Sequence, residues 1–170
     1  GGVSIMDFTD PAKPVEIAFF DRGPIDADRL YVGGSWSAYW LNGRIYSSEI
    51  VRGLDVLRLV PNEHLSAAEI AAAEAINSAT INPQTQTRIV WADSPDVAGA
   101  YLDQLTRGNG IEAGLATRVG AHIDQWRRGG ADTSGSTELS LALTEAAGKT
   151  TGVAAKRLKA LADVFGRRAA

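Results

Sequence analysis

The chain has 170 residues, 45% hydrophobic and 22% charged, an ordinary globular composition long enough for one domain or two small ones. Its net charge of −3 and pI near 5.4 offer no general field for nucleic acid, and the lack of cysteine excludes disulfides, thiol nucleophiles and cysteine-ligated metals. No apolar run approaches the roughly 18 residues of a membrane helix, so no transmembrane segment is expected.

Charge is unevenly spread: residues 1–63 hold 6 Lys/Arg against 9 Asp/Glu, and residues 64–170 hold 11 of each. Two segments of different character are expected, at 1–62 and 63–170. The N-terminal stretch lacks the basic-then-apolar plan of a signal peptide, and the chain opens with Gly1 rather than Met, as processing or truncation would produce.

The first sixty residues read as sheet. Val3, Ile5 and Phe8 lie on one side of a short strand. "VEIAFF" at 15–20 is a second strand, set off by "TDPAKP", whose two prolines break any helix. Asn42-Gly43 sits between "AYWL" and "RIYSSEI" and supplies the positive-φ pair of a two-residue hairpin turn. After Arg52-Gly53, "LDVLRLV" sets Leu54, Val56 and Val60 against Asp55 and Arg58, and Pro61-Asn62 ends the strand.

"GVSIMDFTDP" from Gly2 aligns with "GLDVLRLVPN" from Gly53 at an offset of 51, close to the 40–50 residues at which four-stranded propeller blades recur. On that count residues 2–20 are the third and fourth strands of one blade. Residues 36–60 are then the first three of the next, with a fourth strand supplied from elsewhere.

These residues resemble a family. "GVSIMDFTDPAKPVEIAFFD" and "GGSWSAYWLNGRIYSSEIVRGLDVLRL" are similar to the last repeats of bacterial LVIVD-repeat β-propeller proteins over about residues 1–60. The helical remainder resembles the C-terminal appendix of actinobacterial members. The resemblance implies a secreted or cell-surface protein with a non-catalytic interaction or scaffold role. Its partners would be upstream blades of a parent chain and a protein or cell-envelope ligand.

The rest of the chain reads as helices. Ser66 with Glu69 is a capping-box pattern, with Leu65 and Ile70 spaced as a hydrophobic staple, and the helix runs to Asn77-Ser78. "NPQTQTRIVW" is irregular and reads as an extended segment. Ser94, Pro95 and Asp96 open a second helix that "GNG" at 108–110 closes. Ile111, Leu115, Val119, Ile123 and Trp126 make a third stripe, ended by Gly129-Gly130. "ADTSGST" at 131–137 reads as a linker. Leu139, Leu143 and Ala146, then Val153, Leu158, Leu161 and Phe165, form two more stripes of a small helical bundle.

Candidate chemistry is sparse. His64 and His122 have no metal-ligand spacing, and no GxSxG, Walker or dinucleotide fingerprint occurs. No catalytic residue, metal site or cofactor is therefore assigned. Asp26 and Asp28 in "RGPIDADRL" offer two hard oxygen ligands on a bent loop, well short of a calcium shell. Glu49 and Arg52 are spaced to pair across a tight turn. Trp36, Tyr39 and Trp40 offer flat amphipathic faces, with Trp36 and Trp40 on one side of a strand, and two of the three are expected in a core.

In an antiparallel meander, residues 22–35 and 50–53 emerge at the same end. Asp26, Asp28, Trp36, Glu49 and Arg52 are thereby brought to one rim, as a candidate binding site. The basic residues from Lys149 onward, opposed by Asp163 alone, complement a helix C-terminus and offer an anionic surface a contact.

The expected fold is α+β: an antiparallel β-meander forming the end blades of a β-propeller, followed by a small α-helical bundle. The alternative to a scaffold is part of a propeller hydrolase or lyase whose active site lies in upstream blades. A third reading is a truncated product with no independent function, prone to association through its open strand edges.

Overall fold

A computed structural model describes residues 1–80, 82, 84–85, 88–130 and 133–169. The fold is mixed α+β: five strands in two small antiparallel sheets, then five helices. The chain divides into two compact units, Gly1–Leu65 with Ala73–Ile89, and Ser66–Ala72 with Val90–Ala170. No closed ring of strands forms among the described residues.

In the first unit, β1 (Val3–Asp7) pairs with β2 (Val15–Phe20), with a register shift between Ile5 and Met6. The proline-bearing connection turns tightly, Lys13 N donating to the Asp10 carbonyl at 3.0 Å and Ala12 N to the Asp10 carboxylate at 3.0 Å. The second sheet has the order β3 (Ser35–Leu41), β4 (Arg44–Glu49), β5 (Gly53–Leu57). Asn42 and Gly43 adopt φ of 49° and 77°, the left-handed pair that a two-residue hairpin demands.

The faces of this sheet are the reverse of what alternation in β5 implies. Tyr39, Tyr46 and Val56 share one face by register, as do Ser37, Ser48 and Leu54. On that face Leu54 is 65% and Val56 55% exposed. The opposite face carries Ile45, Ser47, Glu49 and Asp55, all buried. The strand turns its acid inward and its aliphatics outward because the inner face packs under the loop 22–35, whose Arg22 guanidinium meets Asp55.

The aromatics also depart from expectation. A register shift between Ser35 and Ser37 falls at Trp36, which is 78% exposed. Tyr39 is 44% exposed, so Trp40 alone of the three is half-buried. A bulge re-aims the side chain it carries, and period-two counting across it fails.

In the second unit, α1 (Ala67–Glu74) begins on a reciprocal capping box: Glu69 N donates to Ser66 Oγ at 3.1 Å and Ser66 N to Glu69 Oε2 at 2.7 Å. It stops at Glu74, three residues short of the expected Asn77. Helix α2 (Pro95–Arg107) has Ser94 as its N-cap, accepting from Val97 N, and ends at Gly108 and Asn109, the latter at φ 50°. Helix α3 (Ala113–Arg127) is capped by the Glu112 carboxylate, which accepts from Gly114 N and Leu115 N at 2.8 Å each.

Helix α4 (Thr133–Gly148) starts inside the stretch read as a linker, of which Ala131 and Asp132 lie outside the described residues. Its first turns are poor helix formers, yet Ser136 is fully buried and bonds His122 Nε2 at 2.8 Å, so tertiary packing overrides local propensity. Helix α5 (Gly152–Ala169) packs along α4 and also against α2. Phe165, Leu143, Leu161, Leu158 and Val119 are 0–1% exposed at the centre of this unit. Each such side chain contributes about 1.5–3 kcal/mol by burial. No extended strand occurs at the described positions of 82–91, the others of which lie outside the description.

Candidate functional site

The loop 22–35 is sewn to the β4–β5 turn, and the stitching creates a cleft. Arg52 Nη2 donates to the Pro24 carbonyl at 3.3 Å, and Ile50 N to the Gly34 carbonyl at 3.1 Å. Gly34 N donates to Glu49 Oε1 at 2.5 Å, with Gly34 held at φ 110°, where a side chain would be strained. Between loop and turn lies a cavity of about 570 Å³, lined among others by Asp26, Asp28, Glu49, Arg52, Arg22 and Asp55. That volume falls in the range of small-ligand sites.

Of the five predicted site residues, the structure gathers Asp26, Asp28, Glu49 and Arg52 around this cleft and leaves Trp36 out of its lining. The roles differ from expectation. Asp26 accepts from Asp28 N at 2.8 Å and Arg29 N at 3.1 Å, which folds the loop onto itself, while Asp28 faces solvent. Glu49 does not pair with the Arg52 guanidinium. Its carboxylate accepts from three backbone amides, of Gly34, Val51 and Arg52. The Gly34 amide foremost, then those of Arg52 and Val51, outweigh the opposing effect of burial and hold the Glu49 carboxyl below its ordinary range. Glu49 is a fixed anion that orders the turn, and Arg52 is free to aim its guanidinium along the loop.

Two cleft-lining residues, Arg22 and Asp55, escape sequence reading. Arg22 donates to Asp55 Oδ1 and its guanidinium lies 5.3 Å from the Phe20 ring centroid. Asp55 is 7% exposed, and its Oδ2 has no hydrogen-bond partner. Ser47, its direct cross-strand neighbour, is fully buried with an equally unpartnered Oγ. The available signal was the pairing of a charge with flanking aliphatics in "LDVL", which alternation assigns to solvent.

A second cavity of about 780 Å³ lies between the apolar end of the same inner face and the first sheet, lined by Val3, Ile5, Phe20, Ile45 and Leu57. In the second unit three of the six cations from Lys149 onward are engaged within the chain. Arg167 forms a two-pronged contact with Asp93 at 2.7–2.9 Å, Lys149 pairs with Glu145 at 2.5 Å, and Arg168 lies 4.3 Å over the Trp126 ring. His122 is buried with its ring edge-on to Phe165, a packed residue, and His64 N is tied to Asn62 Oδ1 at 2.8 Å.

Among the described residues no group of three or more His, Cys, Asp or Glu is placed to hold a metal ion, and no helix is long and apolar enough to cross a membrane. Comparison of the chain with protein-family models, curated proteins and solved structures returns no match.

Proposed function

We propose that the chain is a non-catalytic interaction scaffold whose sheet-bearing segment packs as end blades of an LVIVD-type β-propeller, at a cell surface or outside the cell. One observation carries this reading. The three-stranded sheet presents Leu54, Val56 and Tyr39 to solvent on one face while its other face is already packed. A sheet with one face already packed and aliphatics exposed on the other is built to take a second layer, as every inner blade of a propeller does. Both sheets also keep open edges among the described residues, at β3 and β5 and on either side of the β1–β2 pair. Such edges invite a further strand. The helical unit is the appendix, and the loop-rich rim is the binding end.

Size-exclusion chromatography with light scattering on the full chain tests the reading. The expected result is concentration-dependent association through the uncovered face and edges, reversed in the L54K/V56K double variant. A sharp monomer at all concentrations refutes it, because the exposed aliphatics would then need no covering layer.

A further inference from the structure

We infer that the open edge of β5, with the cavity between the two sheets, takes up one strand of a partner polypeptide, laid antiparallel to β5 with alternate side chains entering the cavity. The inference rests on the open edges of the scaffold reading and adds which edge is used and the chemistry of the strand that fits. Its first support is the internal repeat. Gly2–Asp7 and Gly53–Arg58 correspond at the offset of 51, so β5 is the counterpart of β1. Strand β1 has an antiparallel partner in the strand that follows it, β2. Strand β5 has β4 on one side and, among the described residues, no strand on the other, the next element being helix α1. The partner that the repeat gives to β1 is missing at β5, and one edge is left to receive it.

The second support is the space beside that edge. The cavity of about 780 Å³ has Val56–Val60 along one wall and Glu16–Phe20 of β2 along the other. Asn62 Nδ2 donates to the Ile17 carbonyl at 2.9 Å, tying the two walls together. Val56, Val60 and Phe19 around it are 55–76% exposed. A strand on the edge of β5 makes main-chain bonds along it and sends alternate side chains into such a space, which is how sheet edges capture extended peptides.

The third support is charge. Arg58, directly after β5, lines the cavity, is exposed, and has no ion pair among the described residues. The acids of the lining are otherwise engaged, Glu16 with Ser4 Oγ at 2.5 Å and Glu63 at 3.7 Å from His64 Nε2. Transposing the β1–β2 register to β5 sets the position of Val15 opposite Arg58 and that of Glu16 opposite the half-buried Leu57. The strand that fits therefore carries an acid opposite Arg58 and an apolar residue opposite Leu57, with an apolar run after them.

The test titrates two peptides of identical composition, each ending in two added lysines for solubility, into dilute full chain. One is Pro14–Asp21 as it stands; the other carries Val15→Glu and Glu16→Val. NMR reads affinity and location, and hydrogen exchange reads strand pairing. The exchanged peptide is expected to bind with a dissociation constant of about 1 mM or tighter, and about threefold or more tighter than the native order. Shifts are expected at 54–60 and 16–20, with slowed exchange at alternate amides of β5. Arg58→Glu should abolish the preference between the peptides. Leu59→Asp should weaken binding about tenfold or more, while Leu141→Asp, the same change at an exposed site on α4, should leave it unchanged.

If Leu59→Asp fails to fold, Arg58→Glu, at an exposed position, decides by itself. The inference is overturned if neither peptide binds, if the two bind alike, if the shifts map to the edge of β3, or if Arg58→Glu keeps the preference. Self-association that Leu59→Asp abolishes makes a second copy the occupant and overturns the assignment to a partner polypeptide. Association through Leu54 and Val56 is read separately by light scattering, so intact association without peptide binding overturns this inference alone.

Discussion

Replacing Ser47 by alanine should stabilise the ligand-free protein. Ser47 is fully buried at the centre of β4, between Ala38 and Asp55 on its neighbouring strands, and its Oγ meets no partner. Burying a hydroxyl without a hydrogen bond costs about 1–3 kcal/mol relative to water. Against this, alanine forfeits the dispersion contacts of one oxygen, at about 0.1–0.2 kcal/mol for each of a few neighbours. The difference in strand preference between the two residues is about 0.5 kcal/mol or less. The balance is a gain of about 1 kcal/mol, roughly a fivefold change in the unfolding equilibrium.

Urea unfolding followed by circular dichroism measures the global change, and hydrogen exchange at the Ile45 and Tyr46 amides reads the sheet locally. A loss of stability of about 0.5 kcal/mol or more refutes the reasoning, because the hydroxyl would then have a partner, such as an ordered water shared with Asp55 Oδ2.

Acid should weaken both units below about pH 4.5, the ordinary glutamate value. The Glu49 carboxyl is held low by the Gly34 amide. That of Glu69, which burial would raise, is held low by Arg107, the Ser66 amide and Gln104. A depressed folded pKa gives stability that is complete above the unfolded value and is lost as pH falls through the folded one. Urea midpoints at pH 7, 4.5 and 3 should therefore fall, and Glu69→Ala, which also deletes half of the capping box, should cost about 1–3 kcal/mol at pH 7 and less at pH 3. Gly43→Ala should destabilise the hairpin by about 1 kcal/mol or more, since φ is 77° there and the new methyl would stand 3.0 Å from the Glu74 side chain. Thermal melts read this as a lowered midpoint, and an unchanged midpoint would mean that the turn adapts.

Local chemistry made several elements legible in advance. The Asn42-Gly43 hairpin, the Ser66/Glu69 box and the Ser94-Pro95 helix start each depend on two or three adjacent residues, and each appears with the expected bonds. The convergence of residues 22–35 with 50–53 followed from meander connectivity alone, and it brings four of the five named residues to one cleft. What escaped depends on distant partners. The helical start of α4 at Thr133 is decided by Ser136 meeting His122 on another helix. The outward turn of Trp36 follows from a one-residue bulge that period-two counting cannot register.

The reversed polarity of β5 links the fold to the candidate site. Alternation places Leu54 and Val56 on one face and Asp55 on the other, but it cannot say which face the chain itself covers. Here the covering is done by the loop 22–35, through Arg22 on Asp55 and Gly34 on Glu49, so the polar face is the one buried from within. Two consequences follow from this single choice. The aliphatic face is left for another layer to cover, which is the basis of the scaffold reading. The acid enclosed beneath the loop keeps an oxygen without a donor, beside the equally unpartnered Ser47 hydroxyl. A strand turned the other way would have neither an uncovered apolar face nor an unsatisfied carboxylate oxygen beneath the loop.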